Sequence, residues 1–123
     1  MKSFRERDID CLAAIADFCD RITATYERIG RTKEVFLTDN DYHDALLLNI
    51  LQIGESAGRL SEECREYLND LPWRAIIGTR NVIVHGYAGI DDEMIWSIVE
   101  TDVPVLRDRI LDVLEQNDLK DIT

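Results

Sequence analysis

The chain contains few basic residues and no long apolar run. Lys and Arg number 14 against 25 Asp and Glu, so the formal net charge is 14 − 25 = −11. This shortage of positive charge excludes a globally basic nucleic-acid or membrane-surface protein, although it leaves room for a local basic site. No apolar run approaches the roughly 18–20 residues of a membrane-spanning helix. We therefore expect no association with a membrane.

Cysteine and histidine are also scarce. Cys11, Cys19 and Cys64 are an odd number without the spacing of a disulfide framework. Cys11 and Cys19 would lie about 12 Å apart along one helix, too far for a disulfide. With only His43 and His85 and no CxxC pair, the sequence disfavours a structural zinc site. We expect reduced cysteines that pack in the core, and neither a metal nor a cofactor.

Length and composition are those of an ordinary folded domain. The chain has 123 residues, of which 46% are hydrophobic and 32% charged, so disorder is not expected. We predict one domain over residues 1–123. The first eight residues mix both charge signs, which is not the pattern of a secretory signal peptide. This pattern predicts a cytoplasmic protein.

The apolar residues recur at helical spacing nearly throughout the chain, and no segment alternates in the manner of a strand. The first helix is predicted from about residue 4 to 29, with a capping box formed by Ser3 and Glu6 at its start. Gly30 ends this helix, because glycine adopts the left-handed conformation at no steric cost.

Residues 30–38 are predicted to be a short polar connection to a second helix, which Thr38 or Asp39 can cap. This second helix has an unusually wide apolar face. Small residues, among them Gly54 and Gly58, would permit another helix to approach closely. The wide face predicts either contact with a second subunit or a central position within the monomer, and the sequence leaves both open.

The rest of the chain predicts further helices. Ser61 begins a short one at about 62–68, a longer one follows at about 72–84, and Asp91 caps the next. Pro104 is expected to kink or restart the chain before the last helix. The sequence thus predicts an all-α, antiparallel helical bundle of about four to five main helices.

The residues that could carry chemistry lie in the segment RNVIVHGY at residues 80–87. Asn81 and His85 are four apart on a helix, so the amide could orient the imidazole. Arg80 lies about 140° around the helix from His85, but its long side chain could reach a ligand held at the same helix end. This pair suits a phosphodiester, because arginine binds the non-bridging oxygens and histidine transfers protons. With RNA, the 2′-hydroxyl can itself attack, so no metal is required.

Spacing alone leaves a structural interpretation open. In it, Arg80 caps a helix end, His85 is a satisfied packing residue, and Tyr87 packs its ring. Glu55 could pair with an arginine near this segment or face the solvent. His43 lies early in the second helix, where the helix dipole disfavours a charged imidazole, so we expect it at the surface.

The wider sequence resembles the HEPN superfamily. Residues 71–87 (LPWRAIIGTRNVIVHGY), followed by Ile95 and Trp96, are similar to the HepT-like toxins of bacterial and archaeal HEPN/MNT toxin–antitoxin modules. Residues 49–57 (NILQIGESA) and 98–106 (IVETDVPVL) resemble the same family, so the resemblance covers essentially the whole chain. The combination of these motifs is far more specific than Arg-x4-His alone.

The resemblance implies a helical bundle that forms a homodimer, in which two Arg-x4-His motifs face a shared cleft and cleave RNA without a metal. Arg80 would bind and polarise the phosphate, His85 would transfer protons, and Asn81 would orient both. Tyr87 completes the Arg-x4-His-x-Tyr motif. In the family this tyrosine accepts AMP from ATP, transferred by a cognate MNT-type nucleotidyltransferase antitoxin that thereby silences the toxin. The resemblance therefore implies the toxin of a type VII-like system, as a homodimer or in a higher assembly with its antitoxin.

Two features bear on how an acidic chain would hold RNA. Arg74, Arg80 and Arg59 are the candidates for a local positive groove, with modest and salt-sensitive affinity expected. Trp73 and Trp96 are expected to be large anchors that fix the motif helix, with stacking on bases as the alternative.

Two other functional interpretations also fit the sequence. In one, the protein is a non-catalytic HEPN dimer that serves as partner or docking subunit of a nucleotidyltransferase. In the other, it is a helical dimer whose motif only caps and packs. The intact Arg80 and His85 pair favours the ribonuclease, whereas the acidic charge favours the docking subunit or is simply a solvated surface.

Overall fold

The computed structural model describes residues 4–86 and 89–122, and the side chains of that part up to residue 116. All regular structure in these ranges is helical. The helices are α1 (Glu6–Arg28), α2 (Lys33–Thr38), α3 (Asn40–Gly58), α4 (Glu62–Tyr67), α5 (Trp73–His85), α6 (Asp92–Ser97) and α7 (Val103–Ile122). Four of them are long and three have only six residues each. The predicted all-α bundle is confirmed.

Helix α3 lies at the centre of the bundle. It packs against α1 and α5, and α1 packs in turn against α7. Leu46, Leu47 and Ile50 of α3 are buried in a single apolar core, together with Leu12 of α1. The central position accounts for most of the wide apolar face of α3. Leu48 is the exception, because 57% of its surface stays exposed.

Most of the predicted capping residues are observed at the ends of the helices. Gly30 follows Ile29, the C-cap residue of α1, and has a φ of 67°, in the left-handed region. Of the two candidate caps of α3, Asp39 is the one observed, and it accepts hydrogen bonds from two backbone N–H groups. Asp91 caps α6 in the same way, and Ser61 caps α4 by accepting from one backbone N–H group, that of Cys64. The start of α1 differs from the predicted capping box: its N-cap is Arg5, without a side-chain cap bond, and Ser3 lies outside the described residues.

Residues 30–38 were predicted to be a polar connection, but residues 33–38 form helix α2. Phe36 is completely buried, with its ring centroid 4.9 Å from that of His43 and 5.5 Å from that of Trp96. A six-residue helix is not stable by itself in water, so tertiary contacts must supply its stability. Burial of one aromatic side chain against two other rings provides such a contact.

Pro104 does not restart the chain, which is one of the two outcomes predicted for it. A π-helical segment, Ile98–Asp102, joins α6 to α7 without a break, and the Val103 N–H bonds to the Ile98 carbonyl five residues earlier. Proline lacks an N–H and conflicts with the carbonyl four residues before it in an α-helix. The π-helical turn has a different bonding pattern and lets the helix continue through this position.

The two tryptophans are both buried, so neither offers a ring for stacking on a base. Trp73 donates from Nε1 to the Leu68 carbonyl at 2.9 Å and fixes the start of α5, as predicted. Trp96 packs instead beside Tyr26 of α1, with ring centroids 5.4 Å apart, and beside α2. The prediction that Trp96 fixes the motif helix is therefore corrected.

None of the three cysteines forms a disulfide, and Cys19 and Cys64 are buried. Burial raises the pKa of the Cys19 thiol to about 12, so this thiol stays protonated and packs as an apolar group. The prediction of reduced packing residues is confirmed. Within the described ranges, no helix combines the length and the apolar character needed to cross a bilayer.

Candidate active site

Helix α5 carries three of the four predicted site residues, and it crosses α3 at Gly54. A Cβ atom placed on Gly54 would lie 2.4 Å from the Arg80 Cβ and 3.2 Å from the Ile76 carbonyl oxygen. Such distances are shorter than carbon atoms tolerate, so the crossing requires glycine at this position. The predicted close approach of another helix at the small residues of α3 is confirmed at Gly54.

The Arg80 side chain is held by two neighbours. Its Nε donates to Glu55 Oε1 at 2.5 Å, and its Nη1 donates to Asn81 Oδ1 at 2.8 Å. The Arg80 and Glu55 side chains are 33% and 30% exposed. Of the two alternatives for Glu55, the structure shows the arginine partner. The Asn81 amide oxygen accepts from Arg80, so Asn81 orients the arginine of the predicted pair.

The guanidinium of Arg80 keeps unused hydrogen-bonding capacity. It has five N–H groups, of which Glu55 and Asn81 take one each. Within the part of the chain that is described, no other residue accepts from the remaining three. Two adjacent N–H groups of a guanidinium match two oxygens of a phosphate. The fixed Arg80 side chain can therefore bind a phosphate without giving up Glu55.

His85 is the last residue of α5, and its side chain is exposed. The N–H of Gly86 bonds back to the Val82 carbonyl at 2.8 Å and ends the helix. Among the described residues, no hydrogen bond joins His85 to Arg80 or Asn81. The five-residue separation explains the lack of a bond to Arg80, because it places His85 about 140° around the helix. Asn81, four residues from His85, bonds to Arg80 instead. Tyr87, the predicted acceptor of AMP, lies outside the described residues.

An open cleft of about 630 Å³ adjoins Asn81 between α4 and α5. Arg65 and Arg74 line it together with Glu62 and Glu66. Neither arginine forms an ion pair with a residue in the described part of the chain. Of the three arginines predicted to form a basic groove, Arg74 lines this cleft, whereas Arg80 and Arg59 do not.

A second concavity, an apolar groove of about 360 Å³, lies on a different face of α5. Its walls come from α3, α5 and the α6–α7 segment, and include Ala75, Ile76 and Thr79. Met94 and Val105 also line it, with 38% and 62% of their surfaces exposed. The groove thus presents an uncovered apolar surface beside the helix that carries Arg80.

His43 belongs to a second charged cluster, at the opposite end of α3 from Glu55. It was expected at the surface, and the structure corrects this expectation. Only 19% of its side chain is exposed. Its Nε2 lies 2.8 Å from Asp92 Oδ1, and its Nδ1 lies 3.2 Å from Asp44 Oδ1. Burial lowers the pKa of His43, but the hydrogen bonds to Asp92 and Asp44 outweigh it, and the net shift is upward.

The sequence contained a signal for Glu55 but not for His43. Glu55 is the only charged residue within residues 49–57, a mostly apolar stretch beside Gly54. A carboxylate in such a place needs a cationic partner.

In the described residues, no group of three or more His, Cys, Asp or Glu side chains could hold a metal ion.

Comparisons with known proteins identify the family. The family model described as "Ribonuclease HepT-like" matches residues 9–113. A Methanocaldococcus jannaschii protein named "Gamma-glutamylcyclotransferase and putative RNase" is 33% identical over 88 residues, which cover 72% of this chain and 40% of that protein. A "Putative RNase" of the same organism is 31% identical over 95 residues, covering 74% of this chain and 87% of that protein.

A third relative is named "Probable ribonuclease HepT" and comes from Thermococcus cleftensis. It is 27% identical over 96 residues, covering 74% of this chain and 87% of that protein. No solved structure matches the chain. The chain thus spans less than half of the first relative and most of the other two. Because the family model covers most of its length, the protein belongs to the HepT-like ribonuclease family of HEPN proteins.

Proposed function

We propose that the protein is a metal-independent endoribonuclease in which Arg80 and His85 act on one phosphodiester of RNA. The observation that carries this proposal is the state of Arg80, which is fixed by Glu55 and Asn81 and still has N–H groups for a phosphate. His85 supports it as an exposed imidazole at the end of the same helix. The ribonuclease names of the relatives support RNA as the substrate.

The reaction uses the nucleophile that RNA itself provides. The 2′-hydroxyl oxygen attacks the adjacent phosphorus, the bond from phosphorus to the 5′-oxygen breaks, and a 2′,3′-cyclic phosphate and a 5′-hydroxyl form. One proton leaves the 2′-hydroxyl and one reaches the 5′-oxygen, so His85 serves these two transfers. Arg80 binds the non-bridging oxygens, whose negative charge grows as the new bond forms.

The active form that we propose is a homodimer with both motifs at one cleft. In a dimer, the His85 of each protomer can take one of the two proton transfers. Supporting this, the apolar groove beside α5 has exposed Met94 and Val105 at its edge, a surface that a second copy would cover. Val105→Glu is expected to shift the protein toward monomers in light scattering after gel filtration.

The cleft between α4 and α5 supports a path for the RNA strand beyond the scissile phosphate. Arg65 and Arg74 line the cleft, and Asn81 connects it to Arg80. The two arginines share the cleft with Glu62 and Glu66, so they can neutralise at most one or two phosphates in a chain with net charge −11. The logarithm of the RNA-binding constant should fall linearly with the logarithm of the salt concentration. The slope is about 0.7 per neutralised phosphate of a single strand.

Cleavage of RNA by the purified protein, in the presence of EDTA, tests the proposal. Wild type is expected to leave 2′,3′-cyclic phosphate ends, and His85→Ala is expected to be inactive. Because His85 is exposed at a helix end, the variant should unfold at the wild-type temperature, which serves as its control. Inhibition by EDTA would contradict metal independence. Equal cleavage by the two proteins would contradict the role of His85.

We further propose that the protein is the toxin of a toxin–antitoxin pair, silenced by transfer of AMP to Tyr87. This residue follows His85 by two positions, so an added phosphate and base would block the site and repel RNA. The acidic surface would dock a basic face of the nucleotidyltransferase. Intact mass after incubation with that enzyme and ATP should rise for wild type but not for Tyr87→Phe. An equal gain in both would refute the assignment.

The second candidate function is a non-catalytic docking subunit for a nucleotidyltransferase, and the net charge of −11 favours it. It predicts a wild type that binds the nucleotidyltransferase and cleaves no RNA. Intact mass must first exclude a protein that was purified already modified at Tyr87. Cleavage by unmodified wild type would reject this candidate.

A further inference from the structure

We propose that Glu55 is a positioning residue for phosphate binding by Arg80, which it both orients and partly neutralises. The inference rests on the proposed ribonuclease function and adds to it a residue that acts through Arg80 rather than on the substrate. Three contacts along one side chain support it. Gly54 determines where the Arg80 Cβ lies, Glu55 holds Nε, and Asn81 holds Nη1.

These contacts restrain Arg80 before any ligand binds. A free arginine side chain loses much conformational entropy when it is fixed on a phosphate. In this protein the base, middle and end of the side chain are already held, so less entropy is lost on binding. Because Glu55 takes the Nε–H, the outer N–H groups of the guanidinium are the ones left for the phosphate.

Glu55 differs from the other carboxylates that pair with arginine in the described residues. Its side chain is 30% exposed, whereas those of Asp17, Asp20, Glu27, Asp70 and Asp108 are 51–77% exposed. Ion pairs that water surrounds position their members poorly and contribute little. The shielded pair of Glu55 and Arg80 lies between two packed helices, where a fixed geometry can be maintained.

The charge of Glu55 has a separate effect from its geometry. A carboxylate beside Arg80 weakens the attraction of the guanidinium for the phosphate of bound RNA. The transition state carries more negative charge on the phosphorus oxygens and gains more from an arginine that is already in place. Removing only the charge should therefore tighten RNA binding, and removing the whole acceptor should slow the chemical step.

Two substitutions separate these effects in a cleavage assay. Glu55→Gln keeps an oxygen that accepts from the Arg80 Nε, so kcat should stay within roughly threefold of wild type. Its KM should fall by about two- to fivefold, because one negative charge is lost. Glu55→Ala removes the acceptor as well, and kcat should fall by about 10- to 100-fold.

The matched control is Glu27→Gln on α1, which removes the same charge from an exposed ion pair with Arg31. It should leave both kcat and KM at wild-type values. If Glu55 only stabilises the fold, both of its variants will unfold at lower temperature while the folded protein keeps wild-type kcat and KM. That result would overturn the inference.

A measurement without catalysis keeps the inference separate from the proposed function. In NMR spectra the Nε–H of Arg80, assigned by its loss in Arg80→Lys, should exchange slowly with water in wild type and rapidly in Glu55→Ala. Glu55→Gln should bind a 2′-deoxy oligonucleotide, which cannot be cleaved, about two- to fivefold more tightly than wild type. An Arg80 signal that exchanges as rapidly as that of exposed Arg28 would refute the positioning role. If the Arg80 Nε–H of wild type exchanges slowly but the protein cleaves no RNA, only the proposed ribonuclease activity would be refuted.

Discussion

The two ends of α3 each carry a charged contact to another helix, and the contacts differ in what they leave free. Near the N-terminal end, both ring nitrogens of His43 are occupied, by Asp44 and Asp92. Near the C-terminal end, Glu55 takes one N–H of Arg80 and leaves the outer ones. His43 can therefore only connect helices, whereas Arg80 can still bind a ligand. Unused hydrogen-bonding capacity, rather than charge pairing, distinguishes the candidate active site.

Substitution of Arg80 and His43 should give the largest contrast between the two ends. Arg80→Lys keeps the charge but loses the planar set of donors, so RNA cleavage should fall by about 10²- to 10³-fold in kcat/KM. His43→Gln should change cleavage by less than about twofold at 25 °C, because it affects only the contact between α3 and α6. Initial rates on one oligonucleotide measure both, and comparable losses in the two variants would refute the distinction.

The next effect concerns the crossing of α3 and α5. Gly54→Ala places a methyl group 2.4 Å from the Arg80 Cβ, and it should destabilise the protein by about 1–3 kcal/mol in urea unfolding. Gly58→Ala is the matched control, because its new Cβ would meet nothing within 4 Å. It should be neutral or stabilise the protein by up to about 1 kcal/mol. Equal effects of the two substitutions would show that the crossing adapts.

The smallest effect is the dependence of stability on pH through His43. Its pKa is raised in the folded protein, so its contribution to stability is fully present below the unfolded value of 6.5 and is lost as the pH rises through the folded value. The free energy of unfolding of wild type should exceed that of His43→Gln by up to about 1 kcal/mol at mildly acidic pH. This difference should shrink toward pH 9. Asp92→Asn should reduce this pH dependence, because it removes one of the two carboxylates that raise the His43 pKa. Thermal unfolding across that range measures it, and a constant difference would contradict the assignment.

Local sequence was sufficient for most of the fold. Caps such as Asp39, Ser61 and Asp91 mark helix starts through bonds to residues two or three positions away, and Gly30 marks an end through its own φ angle. These features depend on neighbours in the chain, so they can be identified from the sequence. Helix α2 could not be identified in this way, because it depends on the packing of Phe36 against distant rings.

The same distinction explains which parts of the candidate site were predicted. Arg80, Asn81 and His85 belong to one short motif, and their placement on a single helix follows from spacing. The partner of Arg80 is 25 residues away and that of His43 is 49 residues away, on helices whose packing no local pattern specifies. The sequence therefore indicated the chemical groups but could not determine which carboxylate would hold each one.

The π-helical segment Ile98–Asp102 has a consequence for insertions and deletions in this part of the chain. Its hydrogen bonds span five residues rather than four, so the segment accommodates a single extra residue. In a regular α-helix the same extra residue would rotate everything after it by about 100° and turn Val103, Leu106, Ile110 and Val113, all buried, away from the core. Deleting one residue there should therefore restore a regular helix and leave the same side of α7 facing the bundle.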